Sequence, residues 1–183
     1  TGENAGHVRI YEWSGSAWVQ KGGDIDGEAS LDLSGFSVSL SSDGLTAAIG
    51  ARNNDGTGSN AGHVRIYEWS GSAWVQKGSD INGERGGDYS GWSVSLSSDG
   101  SIVAIGADRN DDTGTYAGHV RIYEWSGSAW VQKGSDIDGE AANDLSGYSV
   151  SLSSDGLTVA IGAPYNDGTG SDAGHVRIYE WSG

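Results

Sequence analysis

The segment "AGHVRIYEWSG" at residues 5–15 decides the fold of this chain, because it recurs at 61–71, 117–127 and 173–183. Consecutive copies begin 56 residues apart, and in the first three the identity extends over eighteen residues. A fixed period of this length is typical of a solenoid, a propeller or another repeat array. The 183 residues therefore contain three full periods and part of a fourth.

The sequence pattern within each period predicts four strands. The stretch "HVRIYEW" is rich in β-branched and aromatic residues, and a Ser-Gly turn joins it to a hairpin partner, "SAWVQKG". Further along, "YSVSL" at 148–152 alternates apolar and polar residues, and "SSDG" offers the Asp-Gly pair of a tight hairpin. The nearly continuous apolar run "LTVAIGA" at 157–163 predicts a strand buried on both faces.

Four short antiparallel strands per period correspond to one blade of a propeller. We therefore predict an all-β chain of tandem four-stranded antiparallel blades of about 56 residues, propeller-like, as a partial propeller or a repeat array. Residues 1–183 form a single repeat domain in this interpretation. Complete blades are predicted at about 34–78 and 90–134, and partial blades at 7–22 and 146–181.

The stretch at 146–181 resembles an FG-GAP repeat, the blade unit of the integrin α-chain propeller. The shared elements are aromatic-Ser-Val at 148–150, "AIGAP" at 160–164 and Gly-x-Val-x-x-Tyr at 174–179. The resemblance recurs in every period. It implies that "SVSL" is the first strand of a blade and "AWVQKG" the fourth, and it implies an extracellular or cell-surface protein.

One departure from the family concerns calcium. The family's calcium loop lies between the first two strands and carries several alternating aspartates. Here that connection is only "SSDG", with single carboxylates at Asp43, Asp99 and Asp155. The calcium site of the family is therefore not expected in this chain.

The loop after the fourth strand is a separate candidate for calcium. It reads Asp-x-Asp/Asn-Gly-Glu-x-x-x-Asp, and calcium prefers oxygen ligands at such alternating positions. The candidate ligands are Asp24, Asp26, Glu28, Asp32, Asp80, Asn82, Glu84, Asp88, Asp136, Asp138, Glu140 and Asp144. The alternative is a solvated acidic loop with Asx turns, because the glycine stands at position 4 and not at 6 as in familiar calcium loops. No cofactor is required under this alternative.

Two aromatic residues flank each Ser-Gly hairpin turn. Trp18, Trp74 and Trp130 follow the turn, where they can either pack between blades or present flat faces to sugar rings. The second use makes a carbohydrate-binding, lectin-like propeller the alternative function, with glycans as partners. The tryptophan before the turn, such as Trp13, is predicted to lie deeper in the blade.

Charge and composition exclude several partners. The net charge of −15 argues against nucleic acid, and no apolar run approaches the length of a membrane span, so no membrane insertion is expected. The expected partners are copies of this chain or adjacent repeats of a longer one, because near-identical units form interchangeable head-to-tail contacts.

Catalysis has little support in the sequence. No Gly-x-Ser-x-Gly nucleophile elbow occurs, and the single histidine of each period is expected to be a structural hydrogen-bond partner. We therefore predict no catalytic residues and a non-enzymatic, extracellular structural or adhesive repeat protein that can assemble into a ring or filament. A pocket lined by residues that differ between repeats would instead favour an enzyme.

Overall fold

The computed structural model describes residues 2–183, which contain seventeen strands and no helix. In chain order the strands are β1 His7–Val8, β2 Tyr11–Trp13, β3 Trp18–Gln20, β4 Ile25–Asp26, β5 Ser37–Leu40, β6 Thr46–Ala51, β7 His63–Trp69, β8 Trp74–Gln76, β9 Ile81–Asn82, β10 Ser93–Leu96, β11 Ile102–Ala107, β12 His119–Trp125, β13 Trp130–Gln132, β14 Ile137–Asp138, β15 Ser149–Leu152, β16 Thr158–Ala163 and β17 His175–Glu180.

The strands form four successive blades. Blade 2 has the order β5-β6-β7-β8 and blade 3 the order β10-β11-β12-β13, while β9 and β14 extend the outer edges by pairing with β7 and β12. Blade 4 contains β15-β16-β17, and blade 1 contains the pairs β1-β4 and β2-β3. All these ladders are antiparallel. The predicted all-β array of antiparallel blades is confirmed.

The fourth strand of each complete blade is broken in two, which the sequence pattern did not predict. In blade 2, β8 ends at Gln76 and β9 begins at Ile81, yet both pair with β7. The side chain of Ile81 joins the hydrophobic core, so the chain returns to the sheet after a bulge. The polar loop predicted from Asp80 therefore begins only after this short segment.

The second strand of each complete blade lies at the centre of the packing. Every residue of β6 and of β11 is buried, as the apolar run predicted. In β16 of blade 4, buried residues alternate with half-buried ones. The difference arises because, among the described residues, blade 4 is covered by a neighbouring blade on one face only.

Equivalent apolar positions form the core between each pair of blades. Val64 and Ile66 of blade 2 pack with Leu96 and Ile105 of blade 3. Blades 3 and 4 repeat the arrangement, as shown by the contact cluster that includes Val120. The blades therefore stack face to face with one repeated interface.

The serines of the first strands add polar links between blades. Ser39 Oγ accepts a hydrogen bond of 3.0 Å from the backbone N–H of Leu96, and Ser95 Oγ accepts one of 3.0 Å from Leu152. The hydroxyl group of Ser37 donates to the carbonyl oxygen of Gly91 at 2.6 Å. The polar positions of "SVSL" thus join neighbouring blades.

The row of blades is open at both ends. Val176 and Ile178 in blade 4 are 66% and 71% exposed, although the equivalent Val64 and Ile66 are buried. Among residues 2–183, no strand of blade 1 pairs with blade 4. The structure is therefore a partial propeller, and the β2-β3 pair stays separate from the sheet of blade 4.

Candidate functional site

The carboxylates of the loop after the fourth strand point to different partners. Asp24 accepts hydrogen bonds from Arg9 at 3.0 Å and from Gln20 at 2.8 Å. The bond from Arg9 is the main reason that the pKa of Asp24 lies below its usual value. Asp32 is buried and accepts a 2.9 Å hydrogen bond from Asn54 Nδ2.

The glutamate of the same loop faces the next blade. Glu28 Oε2 lies 3.8 Å from His63 Nδ1, and Glu28 Oε1 lies 3.5 Å from Arg65 Nη1. The structure therefore does not gather the four candidate calcium ligands of a loop around one point. Calcium binding by a single loop stays a prediction.

The structure instead brings together acidic groups from successive repeats around a histidine. At the junction of blades 1 and 2, the ligand atoms of Glu28, His63 and Asp80 all lie within 4.8 Å of one another. The junction of blades 2 and 3 repeats this cluster with Glu84, His119 and Asp136, and adds Asp112. Because the members are far apart in sequence, only the stacking of blades reveals the grouping.

The histidine at the centre of the second cluster is fully enclosed. His119 is 1% exposed, and burial, followed by the charge of Arg121, lowers its pKa to about 4. Its imidazole is therefore neutral at pH 7. Neither ring nitrogen has a hydrogen-bond partner within the described chain. The hydrogen-bond role predicted for this histidine is not observed, because the facing carboxylate is too distant to accept a bond.

A second feature emerges when the three full repeats are compared. All three copies differ at only six positions of the period, and each set of three is given in repeat order. The sets are Ser30, Gly86, Ala142; Leu31, Gly87, Asn143; Phe36, Trp92, Tyr148; Arg52, Asp108, Pro164; Asn53, Arg109, Tyr165; and Asn60, Tyr116, Asp172. All of them lie in the loops between strands two and three or in the segment that leads to the next first strand. We call the surface formed by these loops the variable face; of the residues at these positions only Asp108 is fully buried.

Aromatic rings and an arginine stack along the variable face. The ring centroids of Phe36 and Trp92 are 5.1 Å apart, and those of Trp92 and Tyr148 are 5.4 Å apart. The guanidinium group of Arg52 lies 4.0 Å from the Phe36 centroid and 4.4 Å from that of Trp92. Such cation–π contacts hold a flexible side chain in one orientation.

The same face contains an open cleft. Its lining consists of Arg109, Tyr116, Asn143, Leu145, Tyr165 and Asp172. All but Leu145 occupy variable positions. Tyr116 and Leu145 adopt left-handed backbone conformations, with φ of 53° for both, which is costly for bulky residues and often marks functional sites.

The cleft is lined by residues that differ between repeats, which is the pattern expected of an enzyme's pocket. Its side chains nevertheless favour binding of a partner over catalysis. Arginine and tyrosine are enriched at the centres of binding interfaces. The lining provides no serine, cysteine or histidine that could pair as nucleophile and base. The cleft is therefore a candidate binding site.

The tryptophans considered for glycan binding lie at the junctions of blades. The indole N–H of Trp74 donates to the carbonyl oxygen of Lys21 at 2.7 Å, and that of Trp130 donates to Lys77 at 2.8 Å. Trp18 is 67% exposed. Two of the three thus fasten one blade to the preceding one, and glycan binding by this set stays a prediction. The tryptophans before the turn were expected to lie deeper, but Trp69 is only half-buried.

Successive four-stranded antiparallel blades with a repeated interface define a propeller-type repeat protein. The FG-GAP repeat family matches the sequence twice, at residues 82–123 and 134–179. These two matches confirm the resemblance to FG-GAP repeats noted in the sequence motifs. No curated protein matches the sequence significantly. No helix within the described residues is long and apolar enough to cross a membrane.

Proposed function

We propose that this chain is a non-enzymatic adhesion module that binds its partner through the variable face. The observation that carries the proposal is the concentration of all six fully divergent positions on that face of an otherwise near-identical scaffold. Loops on a rigid scaffold are where binding residues concentrate. FG-GAP repeats occur in adhesive, extracellular propeller proteins, which supports an extracellular role.

The chemistry of the variable face suits a macromolecular partner. Phe36, Trp92 and Tyr148 are rigid aromatic anchors, which give contact area at a low cost in conformational entropy. Arg52 and Arg109 add guanidinium groups that can donate paired hydrogen bonds to carboxylates. A protein surface that places a few carboxylates beside apolar side chains is the partner that these groups fit best, because the net charge of −15 would repel a strongly acidic one.

An adhesion assay tests this proposal directly. Beads coated with the chain are applied to surfaces bearing proteins or glycans, and the double variant Arg109→Ala, Tyr116→Ala is compared with Ser72→Ala in an exposed hairpin turn. We expect adhesion to a protein surface, reduced about tenfold or more by the double variant and unchanged by the control. Melting temperatures verify that both variants are folded. Adhesion that is equal in all three proteins, or confined to glycans, would contradict the proposal.

Assembly of copies is the second part of the proposal. Blade 4 exposes Val176 and Ile178, and blade 2 exposes Val38 and Leu40, although Leu96, the equivalent of Leu40, is buried at an internal junction. Blade 4 therefore exposes the face that blades 2 and 3 bury against the next blade. Blade 2 exposes its first strand because blade 1 has no first or second strand among the described residues, whereas its second strand is already covered by Ile10. Such unlike, complementary faces form rings if the contact closes and filaments if it does not.

Sedimentation velocity tests the assembly. We expect the parent chain to associate with rising concentration, and the double variant Val176→Glu, Ile178→Glu to remain monomeric because charges cannot be buried unpaired at the contact. Val131→Glu is the matched control, since Val131 is exposed on the outer strand of an internal blade. A parent chain that stays monomeric at every concentration would refute self-assembly.

A further inference from the structure

We propose that the blade junctions bind a divalent transition-metal ion of the zinc type, and that Glu84, Asp112, His119 and Asp136 form the stronger of two such sites. Glu28, His63 and Asp80 form the weaker one. This inference is independent of the proposed function. It also differs from the calcium loops predicted from the sequence, because its ligands come from different repeats and include a nitrogen atom.

The distances within the clusters fit a bridging ion better than direct hydrogen bonds. In the stronger site, His119 Nδ1 lies 3.9 Å from Asp136 Oδ2. In the weaker site, His63 Nδ1 lies 3.8 Å from Glu28 Oε2 and 4.0 Å from Asp80 Oδ2. These separations are too long for hydrogen bonds. An ion placed between two such atoms can still reach both, because zinc bonds to nitrogen and oxygen are about 2.0–2.2 Å long.

The enclosed histidine is an independent indication of a ligand. His119 is 1% exposed, and both of its ring nitrogens lack a hydrogen-bond partner among the described residues. Buried polar groups in folded proteins are almost always paired, and leaving one unpaired costs free energy. Nδ1 faces the acidic cluster, so an ion bound there would give this nitrogen its missing partner.

The carboxylates are held in place by other side chains. Gln132 Nε2 donates a 2.6 Å hydrogen bond to Asp136 Oδ1, which leaves the other oxygen facing His119. In the weaker cluster, Arg65 contacts one oxygen of Glu28 and His63 faces the other. Supporting contacts of this kind orient metal ligands and tune their affinity.

The donor set selects the class of ion. One imidazole nitrogen and two or three carboxylate oxygens suit zinc and neighbouring first-row metals. Calcium instead takes six to eight oxygen ligands, and magnesium prefers an octahedron of oxygens. We therefore expect zinc to bind and calcium to be ineffective.

The repeats provide an internal comparison of the two sites. Asp112 is replaced by Gly56 in the preceding repeat and by Gly168 in the following one. The junction of blades 2 and 3 consequently offers four ligands and that of blades 1 and 2 offers three. Because each set draws from two blades, a bound ion would cross-link them and stabilise their packing.

Zinc titration of the chelator-treated 183-residue chain tests the proposal. Calorimetry should show two sites that differ in affinity by about tenfold or more, and the melting temperature should rise with zinc but not with calcium. Asp112→Gly should make the two affinities nearly equal. Glu84→Gln should weaken the stronger site alone, whereas Glu124→Gln, an exposed control, should change neither.

A spectroscopic measurement separates ligation from a purely structural role. The imidazole resonances of His63 and His119 should shift when zinc is added to the folded chain, and Co²⁺ should give the visible absorption of a nitrogen- and oxygen-ligated ion. The proposal is overturned if the chain binds no zinc at roughly 100 µM metal. It is equally overturned if Asp112→Gly and Glu84→Gln leave both affinities unchanged.

Discussion

Replacing Gly106 with alanine should lower the free energy of unfolding by about 3 kcal/mol, because overpacking a rigid interface is costly. Gly106 lies in β11, and a Cβ atom added there would overlap the carbonyl oxygen of Gly147 in the segment leading to blade 4. The hydroxyl group of Ser93 is also too close, although a side chain can rotate away. A backbone carbonyl can move only if the two blades separate, so the glycine sets the blade spacing.

The chain contains its own control for this substitution. Gly162 holds the equivalent position in β16, where an added Cβ would meet only atoms of Ser149. Gly162→Ala should therefore change the free energy of unfolding by less than about 1 kcal/mol. Urea denaturation of both variants gives the comparison. Equal losses would mean that the serine contact, and not the approach of the next blade, makes glycine necessary.

The strand order could be predicted from the sequence because its signals are local. Alternation in "SVSL", the Asp-Gly turn and the apolar run ending in "AIGA" each identify one element without reference to distant residues. The strand order within each blade followed from these signals and from the FG-GAP resemblance. The same pattern occurs in three periods, which strengthened the prediction.

Features that depend on packing between blades could not be predicted in the same way. Leu33, Tyr89 and Leu145 adopt left-handed conformations that such residues rarely take. Hydrogen bonds to the preceding loop hold them there, as when the backbone N–H of Tyr89 donates to the carbonyl oxygen of Asn60 at 3.1 Å. No local pattern in the sequence encodes that constraint.

The candidate metal site illustrates the same limit. The sequence groups Asp24 with Glu28 because they are close along the chain, whereas the structure groups Glu28 with Asp80 of the next repeat. Glu28 comes close to Asp80 only because the two blades stack in this register. One sequence signal was available, namely the change from Gly56 to Asp112 at a repeat position beside a glycine-rich turn. That change identifies a candidate ligand only when the structure places Asp112 beside Glu84 of the preceding blade.

Replacing Asp108 with asparagine should stabilise the protein at pH 7, by up to about 3 kcal/mol. Asp108 occupies a variable position, is fully buried, and has no hydrogen-bond partner for either carboxylate oxygen within the described residues. Burial raises the pKa of this carboxyl group from 3.8 to about 6, although the charges of Arg109 and Arg52 oppose the shift. Asparagine keeps the shape and removes the charge that burial disfavours.

The sign of the pH dependence follows from proton binding in the two states. Between pH 4 and pH 6 the unfolded chain has already lost the Asp108 proton while the folded chain retains it, so the stability contributed by the protonated group is lost as the pH rises through about 6. At about pH 3 or below both states are protonated, and the Asp108→Asn variant and the parent should unfold at nearly the same urea concentration. At pH 7 the variant should unfold at a higher concentration. If the variant and the parent differ equally in unfolding concentration at both pH values, the amide forms new contacts that stabilise the fold. If they do not differ at pH 7, Arg52 and Arg109 fully offset the cost of burying the charge.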